Sequence, residues 1–388
     1  MANKITNKLI NWASIIEDNT LEQAIETSTM PFIYPHVALM PDAHLGMGST
    51  VGSVVPTDGA IMPACVGVDI GCGMMAIKTQ FKKNQFTDKQ LSTLREQIER
   101  AIPLSAAHYN NKIVETAKPR IKELEELAPT NFDKYTRTDW RLHLGTLGSG
   151  NHFIEISHDE NDDVWLFLHS GSRGIGNKIA MKHVQLAQEF ADRYFIKLPN
   201  KDLAFFVEGT KEFEQYIAEM NWGQRFAYLN REEMMDRVIR QVSEFMGEDV
   251  KKLETVNCHH NFTQQEEHWG RKLWITRKGA ISADEGKLGL IPGSMGTDSY
   301  VVRGKGYKPS FNSAPHGAGR VYSRSAARKQ FTEKELEKSM AGIEYRKTDA
   351  FIDEIPHAYK DINTVIKDAD DLIEVVHKLN QIINVKGD

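Results

Sequence analysis

The stretch HVALMPDAHLGMGSTVGSVVPTDGAIMPACVGVDIGCGMMAIKTQF, residues 36–81, limits the possible fold more than any other part of the chain. Glycines at 46, 48, 52, 59, 67, 71 and 73 interrupt small and β-branched apolar residues. So broken a segment cannot run as a long helix. It predicts short buried strands joined by tight loops, with Asp42, His44, Asp69 and Cys72 in those loops. Gly67, Gly71 and Gly73 permit a turn that aims the carboxylate of Asp69 and the thiolate of Cys72 at one point, a spacing that suits a metal ion.

Helical periodicity appears elsewhere. Thr20 and Gln23 form a capping-box pattern ahead of a short helix over 20–29, and Thr87 and Gln90 another ahead of a helix over 87–102 with Leu91, Leu94, Ile98 and Ile102 on one face. Further helices are expected over 113–127, 177–197 and 211–246, after Thr332 and Glu335, and over 361–381. Strands are expected at 152–155, 164–169 and 272–279, so the class is α+β, with mostly short strands inside and helices packed outside. With 388 residues, 40% of them hydrophobic, the chain can build one large domain or two closely packed ones. It has no apolar run near the roughly 20 residues that span a bilayer, and its first residues do not read as a signal peptide, so a cytoplasmic, membrane-free protein is expected. Three scattered cysteines argue for reduced thiols rather than a disulfide framework.

Several histidines stand where a fold holds an imidazole rigidly. His152 follows the glycine loop of GTLGSGNHFIEI, and His169 ends the apolar run VWLFLH where it enters SGSRGIGN. In VNCHHNF, an extended backbone turns one of His259 and His260 toward a site and the other away. Singly, each reads better as a satisfied core histidine. Together with Asp69 and Cys72, three imidazoles are enough for two adjacent divalent ions bridged by the thiolate, and the mixed donors suit manganese, zinc or cobalt more than magnesium. SGSRGIG lacks dinucleotide-fingerprint spacing, so Arg173 is better read as a phosphate contact, and Lys278 offers another.

The last signal is SFNSAPHGAGRVYSRSAARK, residues 310–329. His316 precedes Gly317, Ala318, Gly319 and Arg320 at an expected helix start, an arrangement suited to an oxyanion beside an imidazole. From Ser299 to Thr332 the sequence has no Asp or Glu but carries Arg303, Lys305, Lys308, Arg320, Arg324, Arg328 and Lys329, although the whole chain is net −5. Upstream, the turn Pro292, Gly293, Ser294, Met295, Gly296 offers N–H groups to a second anion. This region reads as a nucleotide pocket. A histidine so placed is able to attack phosphorus; a polar N-cap beside arginines on a solvated face is the competing reading.

In this order, VGVDIGCGM, GTLGSGNHFIE, LHSGSRG, IPGSMG and HGAGRVYSRSAA resemble the RtcB family of RNA-splicing ligases, over essentially Met40 to Lys386. The resemblance implies a single RtcB-like domain over residues 1–388, manganese as the metal and GTP as cosubstrate. It selects His260 over His259 as ligand, and places Cys72, His169 and His260 on one ion and Asp69, Cys72 and His152 on the other. It also implies a guanylate site formed by Asn151, His152, Phe153, Ile154, Glu155, His260, Asn261, Pro292, Gly293, Ser294, Met295, Ser299, His316, Gly317, Ala318 and Gly319, completed by Tyr359 and by Lys386 of the terminal VKG. Arg173, Lys278 and Arg320 are then the candidates for RNA phosphates. The implied reaction joins an RNA 2′,3′-cyclic phosphate or 3′-phosphate end to a 5′-hydroxyl through a histidine guanylate and an RNA 3′-pp-5′-G end, with an archease-like accessory factor as a possible partner. A metal-dependent phosphodiesterase that only opens cyclic phosphates, and a non-catalytic RNA-binding module, are the competing functions.

Overall fold

The computed structural model describes residues 2–86, 88–106 and 108–388. The apolar run read as a strand is Asp163–Ser170, and it lies inside an eight-stranded sheet. Trp165 and Phe167 on one face and Leu166 and Leu168 on the other are all buried, as a strand covered on both sides requires. Across this sheet the order is Glu254–His259, Gly73–Lys82, Asp163–Ser170, Phe153–His158, Ile373–Lys386, Ser299–Gly304 and Leu288–Ile291, with Glu344–Tyr345 paired to Ile373–Lys386. A six-stranded sheet runs Asn3–Thr6, Leu9–Asn11, Val37–His44, Val51–Thr57, Arg271–Lys278, Asn261–His268.

The alternation of side chains assigns a core to each face. Trp165 and Phe167 share a cluster with Met40, Val54, Leu273 and Ile275 of the second sheet. Leu166 and Leu168 pack with Leu91, Leu94 and Ile98 of the helix Asp88–Ala101 and with Met234, Met235 and Val238 of the long helix Lys211–Met246. Each such side chain contributes roughly 1.5–3 kcal/mol over its exposed state, so the sheet is pinned between two apolar layers.

Strand register then gathers the chemistry. Gly73 pairs with both Ser170 and His259, and Phe153 pairs with both His169 and Lys386. Five strand ends therefore share one rim of the sheet. The chain leaves Glu254–His259 and enters Asn261–His268 of the other sheet after a single intervening residue, His260.

Several sequence expectations need correction. The helix expected over 361–381 stops early: Ile362–Asp368 is helical, but Ile373–Lys386 is a strand. Its isoleucines and valines favour the extended state, and pairing on both sides with Phe153–His158 and Ser299–Gly304 overrides the helical pattern. The first helix begins earlier than its capping-box pattern suggests, at Asp18–Ser28; Thr20 is buried within it, and Gln23 instead exchanges hydrogen bonds with the backbone of Gly46. Thr87 of the second pattern lies outside the described residues. The box at Thr332 and Glu335 does form, ahead of Glu333–Ser339. Asp42 and His44 belong to the strand Val37–His44 rather than to a loop.

Candidate metal and nucleotide site

Five side chains from the rim and its adjoining turns converge. Cys72 Sγ lies 3.3 Å from His169 Nε2 and 3.5 Å from His152 Nε2; His169 Nε2 lies 2.9 Å from His260 Nε2; and His152 Nε2 lies 3.1 Å from Asp69 Oδ2. Two triads result, Cys72 with His169 and His260, and Asp69 with Cys72 and His152, each with its donor atoms within 4.8 Å of one another. Cys72 belongs to both.

The surroundings suit cations. His152 Nδ1 is bonded to the carbonyl of Leu147 at 2.8 Å, and His260 Nδ1 to Asn261 Oδ1 at 3.1 Å, which leaves each Nε2 lone pair directed at the cluster, as metal-ligating histidines require. Burial and then neighbouring imidazoles hold His169 and His260 well below the usual histidine range, so both are neutral donors. Burial opposes ionisation of Asp69, but the bond with His152 and the Ser172 N–H outweigh it and lower the carboxyl to about 2. Burial, reinforced by Asp69, pushes the Cys72 thiol well up, so the thiolate needs a cation beside it. Oxygen, nitrogen and sulfur donors together fit a borderline divalent metal.

His259 turns away, its Nδ1 near the Gly71 carbonyl at 2.8 Å, as the period-two alternation predicts. His316, by contrast, is not at a helix start. It follows the short strand Ser313–Pro315, and the next helix, Arg324–Gln330, is capped by Ser323. The N–H groups of His316 and Gly317 point instead at Asp42 Oδ2, at 3.0 and 3.2 Å, and the same oxygen lies 2.6 Å from His316 Nδ1. Nδ1–H donates to the buried carboxylate and Nε2 is left free. The ring stands 4.5 Å from that of His260, centroid to centroid.

A cavity of about 320 Å³ opens beside this histidine. Asn151, Phe153, Glu155, Asn261, Pro292, Gly293, Ser294, Met295, Gly317, Ala318, Gly319, Tyr359 and Lys386 line it, together with Asp69, His169 and His260. Ile154 does not: the strand alternation that turns Phe153 and Glu155 inward sends Ile154 into the helix-side core. Ser299 is buried behind Glu155 rather than on the wall. On the wall, Glu155 Oε2 and Asn384 Oδ1 are buried with no hydrogen-bond partner among the described residues, two polar atoms available to a ligand. Burial dominates at Glu155 and raises its carboxyl to about 8 despite Lys386.

The cationic block is less free than its sequence suggests, because the fold brings acids to it. Asp353 and Glu354 pair with Arg324, Glu354 also with Arg320 and Lys386, and Asp353 with Arg328. Arg320 is thereby held at the wall and over the Tyr359 ring. Lys278 is on the wall too, but donates to the carbonyls of Met47 and Ala64, and burial lowers its amine to about 8. Arg173 lies behind His152, buried, donating to Thr146 Oγ1 and to the Ser105 carbonyl, so it faces the protein more than any open groove.

Sequence reasoning missed Asn384 and Glu354, and it named Asp42 and Arg324 without their roles, as the partner of His316 and as a residue of the cavity wall. A long cationic run with no acid of its own implied a counterpart elsewhere, and the acidic segment after 348 was that signal.

The fold and this pocket define a protein with two adjoining triads of donors that could hold metal ions, next to a carboxylate-held histidine and a cavity of about 320 Å³. Residues 23–387 match the family described as tRNA-splicing ligase RtcB. The chain is 46% identical to the RNA-splicing ligase RtcB of Escherichia coli (strain K12), over 96% of this chain and 95% of that one. It is 31% identical to the tRNA-splicing ligase RtcB of Pyrobaculum aerophilum, over 91% and 87%. The chain belongs to the RtcB family. No helix among the described residues is long and apolar enough to cross a membrane.

Proposed function

We propose that this protein is a GTP-dependent, manganese-dependent RNA ligase that joins a 2′,3′-cyclic-phosphate or 3′-phosphate end to a 5′-hydroxyl end. The observation that carries the proposal is the Asp42–His316 pair, in which one carboxylate oxygen fixes the tautomer so that Nε2 faces the cavity as a nucleophile. Asp69, Cys72, His152, His169 and His260 would hold two manganese ions, which when bound neutralise phosphate charge and orient the phosphorus. Nε2 of His316 then bonds to the α-phosphorus of GTP as the bond to the bridging oxygen breaks, and pyrophosphate leaves with that electron pair. A cyclic end is first opened by water to the 3′-phosphate. GMP passes from His316 to that phosphate, and the 5′-hydroxyl oxygen displaces GMP to close the phosphodiester.

Guanine is favoured because its ring N–H and exocyclic amine are donors that match the orphaned acceptor of Glu155, whereas adenine has no ring N–H on that edge. Tyr359 and Lys386 complete the pocket, and the loop N–H groups of 293–295 suit the phosphates. Arg320, Arg324 and Lys278 stand where RNA phosphates would enter, and Arg173 would serve only a phosphate reaching the far side of His152. An archease-like activator and a tRNA substrate belong to the same proposal.

Incubation with manganese and α-labelled GTP, followed by denaturing electrophoresis, tests it. Acid-labile label on the wild-type protein and none on His316→Ala is the expected result. Cyclic-phosphate opening with no labelled protein would replace ligation with phosphodiester hydrolysis.

A further inference from the structure

The long helix Lys211–Met246 contributes no side chain to either triad, yet two adjacent residues on it reach the loops that carry all five members. Arg231 is fully buried. Its Nη1 donates to the carbonyl of Gly71 at 2.8 Å and of Ser170 at 3.1 Å, its Nε to Asn257 Oδ1 at 2.8 Å, and its Nη2 lies 3.1 Å from His259 Nδ1. Gly71 lies between Asp69 and Cys72, Ser170 follows His169, and His259 precedes His260. The bonded partners are two carbonyls and an amide, none of them an acid, while the His259 ring, itself donating from Nδ1 to Gly71, lies alongside. A buried cation whose bonded partners are all neutral is costly to desolvate. The planar fork sets the directions of its bonds, which a flexible ammonium does not.

Asn230 holds the remaining member. Its Oδ1 accepts from the N–H of Gly145 at 2.7 Å and of Thr146 at 3.2 Å, and its Nδ2 donates to the Gly171 carbonyl at 3.1 Å. The next residue after Thr146 is Leu147, whose carbonyl fixes the His152 ring.

We propose that Asn230 and Arg231 are the positioning residues of the metal centre, locking the three strand ends and the 145–147 loop into the one arrangement in which both triads form. Metal affinity and ligand geometry are then set from a helix outside the site. This rests on the metal reading of the two triads.

The test is titration of metal-free protein with cobalt(II), read by thiolate-to-cobalt charge-transfer and ligand-field absorption. Wild type is expected to show both bands. Arg231→Lys, which keeps the charge and loses the fork, is expected to remain folded by circular dichroism and to bind cobalt about 10–100-fold more weakly, with altered ligand-field bands, as for lost outer-sphere partners elsewhere. Excess cobalt should restore occupancy but not the wild-type spectrum. A folded Arg231→Lys with wild-type affinity and spectrum overturns the proposal. If that variant does not fold, Asn257→Ala, which removes only the acceptor of Nε, is expected to weaken cobalt several-fold; no change there overturns the proposal equally. Wild type lacking the thiolate band would overturn the metal reading itself, and the positioning role with it, a result distinct from either variant outcome.

Discussion

Glu354 Oε2 and Lys386 Nζ meet at 3.1 Å with side chains 6% and 3% exposed, so the last strand of the chain is tied to the pocket wall by a buried ion pair. Glu354 also accepts from the Tyr359 hydroxyl and from Arg320 and Arg324. One carboxylate thus organises a whole side of the cavity.

Glu354→Gln keeps the shape and removes the charge that compensates three cations. Losing one partner of a buried pair costs about 3–5 kcal/mol, reduced here because Arg324 is partly exposed and keeps Asp353. A lowered midpoint in thermal unfolding of the metal-free protein is expected, with weaker GTP binding by calorimetry. An unchanged midpoint would show that the pair contributes nothing net.

Asp42→Ala removes the oxygen that accepts from the N–H of His316, the N–H of Gly317 and His316 Nδ1. The imidazole is then no longer held with Nε2 toward the cavity, and guanylylation should fall by about 10²-fold or more, the scale on which a displacement of about 1 Å acts. Cobalt titration should be close to wild type because Asp42 is in neither triad. Rapid-quench measurement of label transfer decides it.

Cys72→Ser removes the only side chain common to both triads. A serine hydroxyl does not replace a thiolate donor, so both ions and all guanylylation should be lost. Plasma mass spectrometry of the desalted protein is the check: metal content near wild type would mean that the thiolate does not bridge.

The raised carboxyl of Glu155 gives a pH signature. Its folded value of about 8 lies above the ordinary value of 4.5, so the folded state holds the extra proton between those limits. Stability from this group is complete at low pH and falls as pH rises from about 4.5 toward 8. Glu155→Gln should flatten that slope in urea unfolding. Guanine donors favour the ionised form, so GTP binding near pH 7 should release a proton, measurable by calorimetry in buffers of different ionisation enthalpy.

Much of the site was legible because its residues sit in glycine-flanked turns at the ends of apolar runs, as His169 does after VWLFLH. The alternation rule separated Phe153 and Glu155 from Ile154 only once the strand was placed, because a list of neighbouring residues does not say which side is inward. Ile373–Lys386 was misread over most of its length because short apolar runs fit both periods, and only the pairing with two strands distant in sequence decides between them. Asp42 and Glu354 were invisible as partners because they lie 274 residues from His316 and 32 from Lys386. A contact of that kind is a property of topology rather than of local pattern.

The His316 ring is held by Asp42, which belongs to the six-stranded sheet, whereas Asp69, Cys72, His152 and His169 stand at the rim of the eight-stranded one, and His260 lies between. The distance from the His316 ring to the two triads is therefore a mechanical output of how the two sheets pack. Trimming a methyl group from Ile275 in the core between them, as in Ile275→Val, costs only about 0.5–1.5 kcal/mol of stability. A shift of about 1 Å in the reacting groups can cost about 10²-fold in rate. The interior of this protein thus acts as the calibration of its active site, and catalytic rate should be more sensitive to core volume than folding is.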